Sequence, residues 1–322
     1  MLELAAEARR MTTLLYTHPS SAVHDPGPGH PESPARIRAI FAMLEREERK
    51  GALTGVERED APRATRTQLE RAHSGRYVEA ILGAEPASGY RRLDPDTVMS
   101  PGSAEAALRA AGAACAAVGL VADSRARNAF CALRPPGHHA ERERAMGFCL
   151  FNSIAIGALE ALAVHGLRKV SIFDFDVHHG NGTQAIFESE PRVQYLSTHQ
   201  WPLYPGTGAR GETGVGNIVN RPLPAGTGSK DWRRVVEADI LPAIDGFAPE
   251  LIMISAGFDA HRADPLAMLE LEEADFAWVT RGLMGLAARQ CAGRVVSVLE
   301  GGYDLNALAQ SCLAHLNALR ET

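Results

Sequence analysis

The chain has 322 residues, of which 45% are hydrophobic and 22% are charged, so it can bury a full core and is neither disordered nor a small stapled protein. Its 33 lysines and arginines against 39 acidic residues give a formal net charge of -6, which argues against a general nucleic-acid binder. Five cysteines without CxxC spacing favour free thiols in a reducing compartment over a thiolate metal site.

The N-terminus contains acidic residues and lacks the apolar stretch of a secretory signal, so we expect a cytoplasmic protein. The longest weakly polar run, Ala110–Ala122, is shorter than the ~20 residues that cross a bilayer, and it predicts a buried helix and no membrane partner. No linker or repeat divides the sequence, so we expect one domain. Residues 46–71 are charge-rich and predict a solvated connection.

Strand-like and helix-like stretches alternate along the chain. Short apolar runs predict buried strands at Ala129–Leu133, Val170–Phe175, Gln194–Ser197, Leu251–Ser255 and Val295–Leu299. Apolar residues at three- and four-residue spacing predict helices at Ser103–Ala122, Asn152–Val164, Trp232–Phe247 and Glu272–Gln290. This alternation predicts an α/β fold with a mainly parallel sheet.

Titratable side chains follow each of these five predicted strands. They lie in the segments Arg134–His139, Asp174–Asn181, Ser197–His199, Gly257–Asp264 and Glu300–Asp304. Ligands of open parallel sheets bind outside the carboxyl ends of the strands. We therefore expect the functional site at this edge of the sheet.

Asp174, Asp176 and His178 occupy every second position, so in an extended segment they share one face. The two carboxylates would repel each other, and all three groups would be poorly solvated, unless they bound a cation. Oxygen and nitrogen ligands suit a catalytic Zn²⁺ with three protein ligands. We expect Asp176 and His178 to bind it, with Asp264 as the third ligand because Pro265 restricts the backbone there. The alternative for Asp264 is a simple Asp-Pro turn.

Such a metal site favours hydrolysis, which also requires a general base. His138 and His139 follow a stiff Pro-Pro-Gly segment and are the candidates. Asp174 and Asn181 are available to give the two imidazoles different basicities. Tyr303 follows two glycines and can donate a hydrogen bond to a developing oxyanion.

Four motifs resemble those of the zinc-dependent histone deacetylase family, whose prokaryotic members include histone-deacetylase-like and acetylpolyamine amidohydrolases. The motifs are Arg134–Ala140, Gly147–Asn152, Asp174–Gly182 and Glu300–Tyr303. The resemblance covers nearly the whole chain. It implies an N-terminal extension at residues 1–12 and a catalytic domain at residues 13–322. The implied fold is the single-domain arginase/deacetylase α/β fold, a mainly parallel sheet of about eight strands flanked by helices.

The resemblance also implies roles for individual residues. It makes the three ligands proposed above the zinc ligands, His139 the general base, His138 its electrostatic partner or general acid, and Tyr303 the residue that polarises the carbonyl. It further implies a structural potassium ion near the zinc, bound by Asp174 and Ser197. Asn at position 181, in place of Asp, matches the class II members of the family.

The substrate tunnel is implied in the same way. Phe148 and Tyr204 resemble the two aromatic walls that hold an acyl-lysine stem, with Gly147 and Leu266 beside them. Polyamine-selective members can have Glu at the position of Leu266, so an apolar residue there weakens the polyamine interpretation. Asp96 resembles the rim carboxylate that holds a substrate backbone.

These residues lead to the hypothesis of a Zn²⁺-dependent hydrolase that removes an acetyl or other acyl group from a lysine-like amide, in a peptide or protein or in an acetylated small amine. An acetylpolyamine or another small amide is the alternative substrate. A binuclear manganese ureohydrolase stays open, although it would need a bridging carboxylate where His179 stands, and so does a non-catalytic acyl-lysine binding module. We expect His30 at the rim of the site. A homo-oligomer is compatible with the sequence.

Overall fold

Ten strands are present in the computed structural model, which describes residues 12–321. In chain order they are β1 (Thr13–Thr17), β2 (Val56–Asp60), β3 (Arg91–Arg92), β4 (Val98–Met99), β5 (Asn128–Cys131), β6 (Val170–Asp174), β7 (Val193–Gln200), β8 (Ile218–Leu223), β9 (Leu251–Ala256) and β10 (Val295–Leu299). Eight of them form one sheet in the order β2-β1-β5-β10-β9-β6-β7-β8, and every neighbouring pair in that sheet is parallel. The short strands β3 and β4 form a separate antiparallel pair. The prediction of a mainly parallel sheet of about eight strands is confirmed, and the predicted extension at residues 1–12 lies almost wholly outside the described residues.

Helices cover both faces of this sheet. They are α1 (Pro34–Arg49), α2 (Arg66–Ala72), α3 (Gly75–Leu82), α4 (Ser103–Ala122), α5 (Ser153–Ala163), α6 (Asn181–Phe187), α7 (Ser229–Val235), α8 (Leu241–Phe247), α9 (Glu273–Gln290) and α10 (Leu305–Arg320). A π-helical segment, Val236–Ile240, joins α7 to α8, so the helix predicted at Trp232–Phe247 contains one local change of winding. Residues of α2 to α5 pack in one core cluster and residues of α1 and α7 to α10 in the other.

The apolar strands are buried on both faces, as expected when helices lie above and below a parallel sheet. In β10, Val296 and Val298 belong to one core cluster, whereas Val295 and Leu299 belong to the other. This division follows the alternation of side chains along a strand. Two separate cores therefore share one sheet.

The charge-rich segment 46–71 is more ordered than the predicted solvated connection. It contains the end of α1, all of β2 and most of α2. Strand β2 has the sequence VERED and lies at the edge of the sheet, where charged side chains discourage pairing with other chains. The strand was not predicted because it has no apolar run.

Helix α4 is an alanine-rich core helix, as predicted from the run Ala110–Ala122. It is long and apolar enough to span a membrane, and 61% of its most apolar 18-residue window is buried inside the protein. A Cβ atom on Gly112 would lie only 2.0 Å from the carbonyl oxygen of Pro62. The glycine therefore lets the helix backbone approach the neighbouring loop closely. All five cysteines are free and buried.

The strands at the centre of the sheet, β5, β10, β9, β6 and β7, are adjacent and parallel. The five loops that follow their carboxyl ends consequently lie next to one another at the same edge of the sheet. These are the loops in which the sequence placed its candidate site residues.

Candidate active site

Two carboxylates and an imidazole converge at the ends of β6 and β9. Asp176, His178 and Asp259 each offer a ligand atom, and these atoms lie within 4.8 Å of one another. Nδ1 of His178 is 3.1 Å from Oδ1 of Asp176 and 3.1 Å from Oδ2 of Asp259. All three residues are buried. This donor set is the kind that binds a divalent cation.

The electrostatics of this cluster call for a positive charge between the carboxylates. Burial, together with the charge of Asp176, raises the pKa of Asp259 to about 7. Although burial opposes it, hydrogen bonding to Asp176 and Asp259 raises the pKa of His178 to about 10. The two carboxylates therefore hold a proton on the imidazole between them, and a divalent cation bound there would take the place of that proton.

Among the described residues, the third member of the cluster is Asp259; zinc binding by Asp264 stays a prediction. Both carboxylate oxygens of Asp264 accept backbone hydrogen bonds, from Leu266 N–H at 3.0 Å and from Tyr303 N–H at 2.7 Å. Asp259 lies three residues after the end of β9, close to the sheet edge, whereas Asp264 lies beyond a further turn. The carboxylate of Asp264 is therefore held beside the backbone of Tyr303.

Glycines surround the carboxylates of the cluster. A Cβ atom on Gly257 would lie 2.0 Å from an oxygen of Asp176, and one on Gly301 would lie 2.1 Å from an oxygen of Asp259. The backbone N–H of Gly301 instead donates to Oδ2 of Asp176 over 2.8 Å. Only glycine permits so close an approach of backbone to carboxylate.

His139 has the hydrogen-bonding pattern of a general base. Nδ2 of Asn181 donates to the Glu141 carboxylate at 2.8 Å, which turns Oδ1 of Asn181 toward Nδ1 of His139, also at 2.8 Å. Nδ1 therefore carries the hydrogen, and the lone pair lies on Nε2. Burial and the positive charges of His138 and His178 hold the pKa of His139 well below its usual range. The imidazole is neutral and free to accept a proton at Nε2.

His138 has the opposite character. Its Nδ1 donates to Oδ2 of Asp174 at 2.9 Å, and the hydroxyl of Tyr195 donates to the same oxygen at 3.0 Å. Although burial opposes it, the charges of Asp174 and Asp176 raise the pKa of His138 well above its usual range. The rings of His138 and His139 lie 4.0 Å apart, centroid to centroid. A charged and a neutral imidazole therefore stand side by side, as acid and base catalysis requires.

Glu300 organises the histidine loop, a role that sequence analysis missed. Its buried carboxylate accepts the backbone N–H groups of Gly137 at 2.6 Å and His138 at 3.1 Å. Burial raises the pKa of Glu300 to about 7. The sequence feature that could have indicated this role is the position of Glu300 in the Glu300–Tyr303 motif, directly after β10. The residues that its carboxylate contacts could not be identified from the sequence.

Arg36 packs against Tyr303, and sequence analysis did not predict this role either. Its guanidinium donates to the carbonyl oxygens of Gly302 at 2.5 Å and Glu300 at 2.6 Å, and it lies 4.8 Å from the centre of the Tyr303 ring. Glu32 balances the charge of Arg36 at 3.1 Å in a fully buried pair. The guanidinium thus fixes the backbone carbonyls of Glu300 and Gly302 in the segment before Tyr303.

A cavity of about 210 Å³ opens from the surface to this site. The residues that line it are Asp96, His139, Gly147, Phe148, His178, Leu203, Tyr204, Leu266 and Tyr303. It thus includes all four residues predicted for the tunnel, and Leu203 is an addition. The Phe148 ring lies 5.9 Å from that of Tyr303, and the Tyr204 ring lies 5.1 Å from that of His139.

Asp96 and His30 lie together at the mouth of the cavity. Nε2 of His30 donates to the backbone oxygen of Asp96 at 3.1 Å, and its ring lies 4.8 Å from that of Phe148. Oδ1 of Asp96 accepts from Gly147 N–H at 3.0 Å and from the Thr97 hydroxyl at 2.9 Å. The rim carboxylate is therefore held in a fixed orientation beside the cavity.

The two residues expected to bind potassium are neighbours in the sheet. Asp174 of β6 pairs in register with Ser197 of β7. The hydroxyl of Ser197 is hydrogen-bonded to Nδ1 of His199 at 2.9 Å. Potassium binding stays a prediction.

Comparison with known proteins agrees with this geometry. Residues 30–319 match the family model described as the histone deacetylase domain. A probable deacetylase of Archaeoglobus fulgidus is 38% identical over 92% of this chain and 82% of its own length. The histone deacetylase-like amidohydrolase of Pseudomonas aeruginosa is 39% identical over 86% of this chain and 73% of its own length. The crystal structure of the HDA15 HD domain superposes with a TM-score of 0.91 at 36% identity, over 97% of this chain and 88% of that one. The chain therefore belongs to the histone deacetylase family of deacetylases and amidohydrolases.

Proposed function

We propose that the protein is a zinc-dependent hydrolase that removes an acetyl or other acyl group from a lysine-like amide. The observation that carries the proposal is the cavity of about 210 Å³ that is lined both by the rim residue Asp96 and by His139 and His178 at its inner end. An extended amide that enters this cavity meets a neutral imidazole and a cluster of metal-ligating groups together.

The cluster of Asp176, His178 and Asp259 fits zinc. It supplies three oxygen and nitrogen donors, buried and within 4.8 Å of one another, and three protein ligands are typical of a catalytic zinc site. When bound there, zinc would supply a Lewis acid that polarises the amide carbonyl and acidifies a water molecule. Asp176 and Asp259 would balance its charge.

The chain supplies the proton transfers. His139 receives the proton of the attacking water at Nε2, because Asn181 occupies its Nδ1. His138, held in the charged form by Asp174, is the proton donor for the departing amine. Tyr303 lines the same cavity, and burial raises its pKa well above the usual range, so its hydroxyl stays protonated and can donate to the developing oxyanion.

The walls of the cavity favour an acyl-lysine over a charged polyamine. Phe148, Leu203, Tyr204 and Leu266 present rings and methyl groups to the ligand. An acylated lysine offers methylenes and a neutral amide, which such a surface accepts. A polyamine would carry additional cationic nitrogens past these apolar walls, and their desolvation there would be unfavourable.

The test is a comparison of catalytic efficiency over acyl-lysine peptides and acetylpolyamines, before and after treatment with a chelator. We expect turnover of acetyl-lysine peptides, loss with the chelator, recovery with Zn²⁺, and one zinc per chain by native mass spectrometry. Two manganese ions per chain would favour a ureohydrolase. Tight binding of the peptides without turnover in the zinc-loaded protein would favour a binding module.

A further inference from the structure

A network of polar side chains ties the loop that carries Tyr204 to the end of the sheet. The Thr207 hydroxyl lies 2.8 Å from Nδ1 of His179, and the carbonyl oxygen of Gly208 accepts from Nε2 of His199 at 3.0 Å. A Cβ atom on Gly208 would lie 2.6 Å from both imidazole rings. The loop backbone therefore lies directly against the two histidines.

Glu212 closes this network from the far side of the loop. Its carboxylate accepts the backbone N–H groups of Gly208 at 3.1 Å and Ala209 at 2.9 Å, and the side-chain amide of Gln184 at 2.6 Å. Gln184 belongs to helix α6. Glu212 thus joins the loop to a helix that follows the metal-ligating segment.

The charge of Glu212 fixes the direction of the hydrogen bonds. A carboxylate only accepts, so the NH₂ group of Gln184 must face Glu212. Oε1 of Gln184 then faces Nε2 of His179 at 2.9 Å and Nδ2 of Asn220 at 2.7 Å. His179 must carry its hydrogen on Nε2, and its Nδ1 accepts from the Thr207 hydroxyl. The charge of Glu212 therefore determines which group donates and which accepts in each hydrogen bond of this network.

This hydrogen-bond network ends close in sequence to Tyr204, a residue of the tunnel wall. Tyr204 precedes Thr207 by three residues, lines the cavity, and lies 5.1 Å from His139, ring centre to ring centre. We infer that Glu212, acting through Gln184 and His179, is a positioning residue that holds Tyr204 in the tunnel wall and so sets the affinity for the acyl-lysine stem. This inference rests on the proposed function for the identity of the substrate.

The kinetic test uses Glu212→Gln, which keeps the shape of the side chain and removes its charge. Gln184 can then rotate, the His179 tautomer is no longer fixed, and the loop is held less firmly. We expect KM for an acetyl-lysine peptide to rise about tenfold with kcat changed by less than about twofold, the pattern of lost binding that is common to ground state and transition state. The matched control is Glu190→Gln, a partly buried carboxylate at the other end of β7 that pairs with Arg192 at 2.6 Å; both constants should stay unchanged.

A double-mutant cycle separates positioning from general loosening of the fold. If Glu212 acts through Tyr204, Glu212→Gln should raise KM little further in a Tyr204→Ala background. Fully additive effects of the two substitutions would overturn the inference, and so would an equal loss of kcat in the Glu212→Gln variant alone.

A third measurement does not depend on activity. Nitrogen-15 NMR of the zinc-loaded, histidine-labelled protein should show His179 as the Nε2–H tautomer, assigned through the change produced by Thr207→Val. In Glu212→Gln we expect a mixture of the two tautomers. An Nδ1–H tautomer in the unsubstituted protein would overturn the inference. The expected tautomer in a protein that hydrolyses no acyl-lysine would instead count against the proposed function alone.

Discussion

His139 donates its Nδ1–H to the amide oxygen of Asn181 over 2.8 Å. A neutral amide orients the ring without adding negative charge, whereas a carboxylate would stabilise the imidazolium form. The partner of His139 therefore keeps this imidazole a base. The neighbouring His138 has a carboxylate partner, which favours its charged form, and it is the acid in the proposed mechanism.

Replacing Asn181 with Asp should move the acidic limb of the pH–rate profile. The new carboxylate raises the pKa of His139 by about one unit or more, and since the base must be neutral, activity is lost at a higher pH than in the unsubstituted protein. The measurement is kcat/KM for an acetyl-lysine peptide between about pH 5 and 9. An acidic limb that stays in place would show that His139 is not the titrating base.

Metal content should distinguish Asp259 from Asp264. We expect Asp259→Asn to lose zinc at concentrations where Asp264→Asn retains one ion per chain, because only Asp259 lies in the cluster with Asp176 and His178. Losing one ligand should weaken zinc binding by at least about tenfold, as losing even an outer-shell partner does. Dialysis followed by elemental mass spectrometry measures it. Loss of zinc from Asp264→Asn would confirm the prediction that Asp264 is a ligand.

Tyr303→Phe should lower kcat by roughly two to three orders of magnitude, since an oxyanion donor is lost from a buried site. The Arg36 guanidinium and the Phe148 ring contact the aromatic part of Tyr303, so the fold and the zinc content should be unchanged. Steady-state kinetics with a fluorogenic acetyl-lysine substrate provide the measurement. A variant with normal turnover would remove the hydroxyl from the mechanism.

A buried histidine of helix α10 should make stability depend on pH. His315 is fully buried, with Nδ1 at 2.7 Å from the Thr280 hydroxyl and Nε2 at 2.9 Å from the Ser297 hydroxyl, and burial lowers its pKa from 6.5 to about 3. Between these values the unfolded chain binds a proton that the folded protein does not, so the free energy of unfolding falls as the pH falls below 6.5.

The size of this effect can be measured with His315→Gln. At about pH 5 the histidine costs ~2 kcal/mol relative to neutral pH. Urea unfolding at the two pH values should therefore show a pH-dependent difference that is smaller in His315→Gln by about that amount. A difference of the same size in both proteins would show that His315 is protonated in the folded state.

The central strands and the histidine loops could be predicted because their signals are local. Val170–Asp174 and Val295–Leu299 are apolar runs whose residues are buried on both faces, so composition alone identifies them. Edge strand β2 (Val56–Asp60) carries three acidic residues and an arginine. Its place in the sheet comes from pairing with β1 (Thr13–Thr17), which no local pattern reports.

The place of Asp259 in the metal-ligating cluster was not predicted, for a related reason. Pro265 makes Asp264 the more rigid of two aspartates in one loop, and rigidity is visible in sequence. Membership of the cluster depends instead on distances in the fold, and these include Asp259, whose Oδ1 also accepts the Val177 N–H at 2.9 Å. The two carbonyl groups that accept hydrogen bonds from Arg36 likewise belong to residues more than 260 positions away, which is beyond the reach of any spacing argument.

Gly257 and Gly301 limit which positions can be varied when the substrate specificity of this protein is engineered. A single methyl group at either position would press on an aspartate at the reaction centre, so libraries that vary these positions should yield inactive clones. Leu203 and Leu266 line the wall of the cavity, so diversity introduced at these two side chains should alter which amide is accepted.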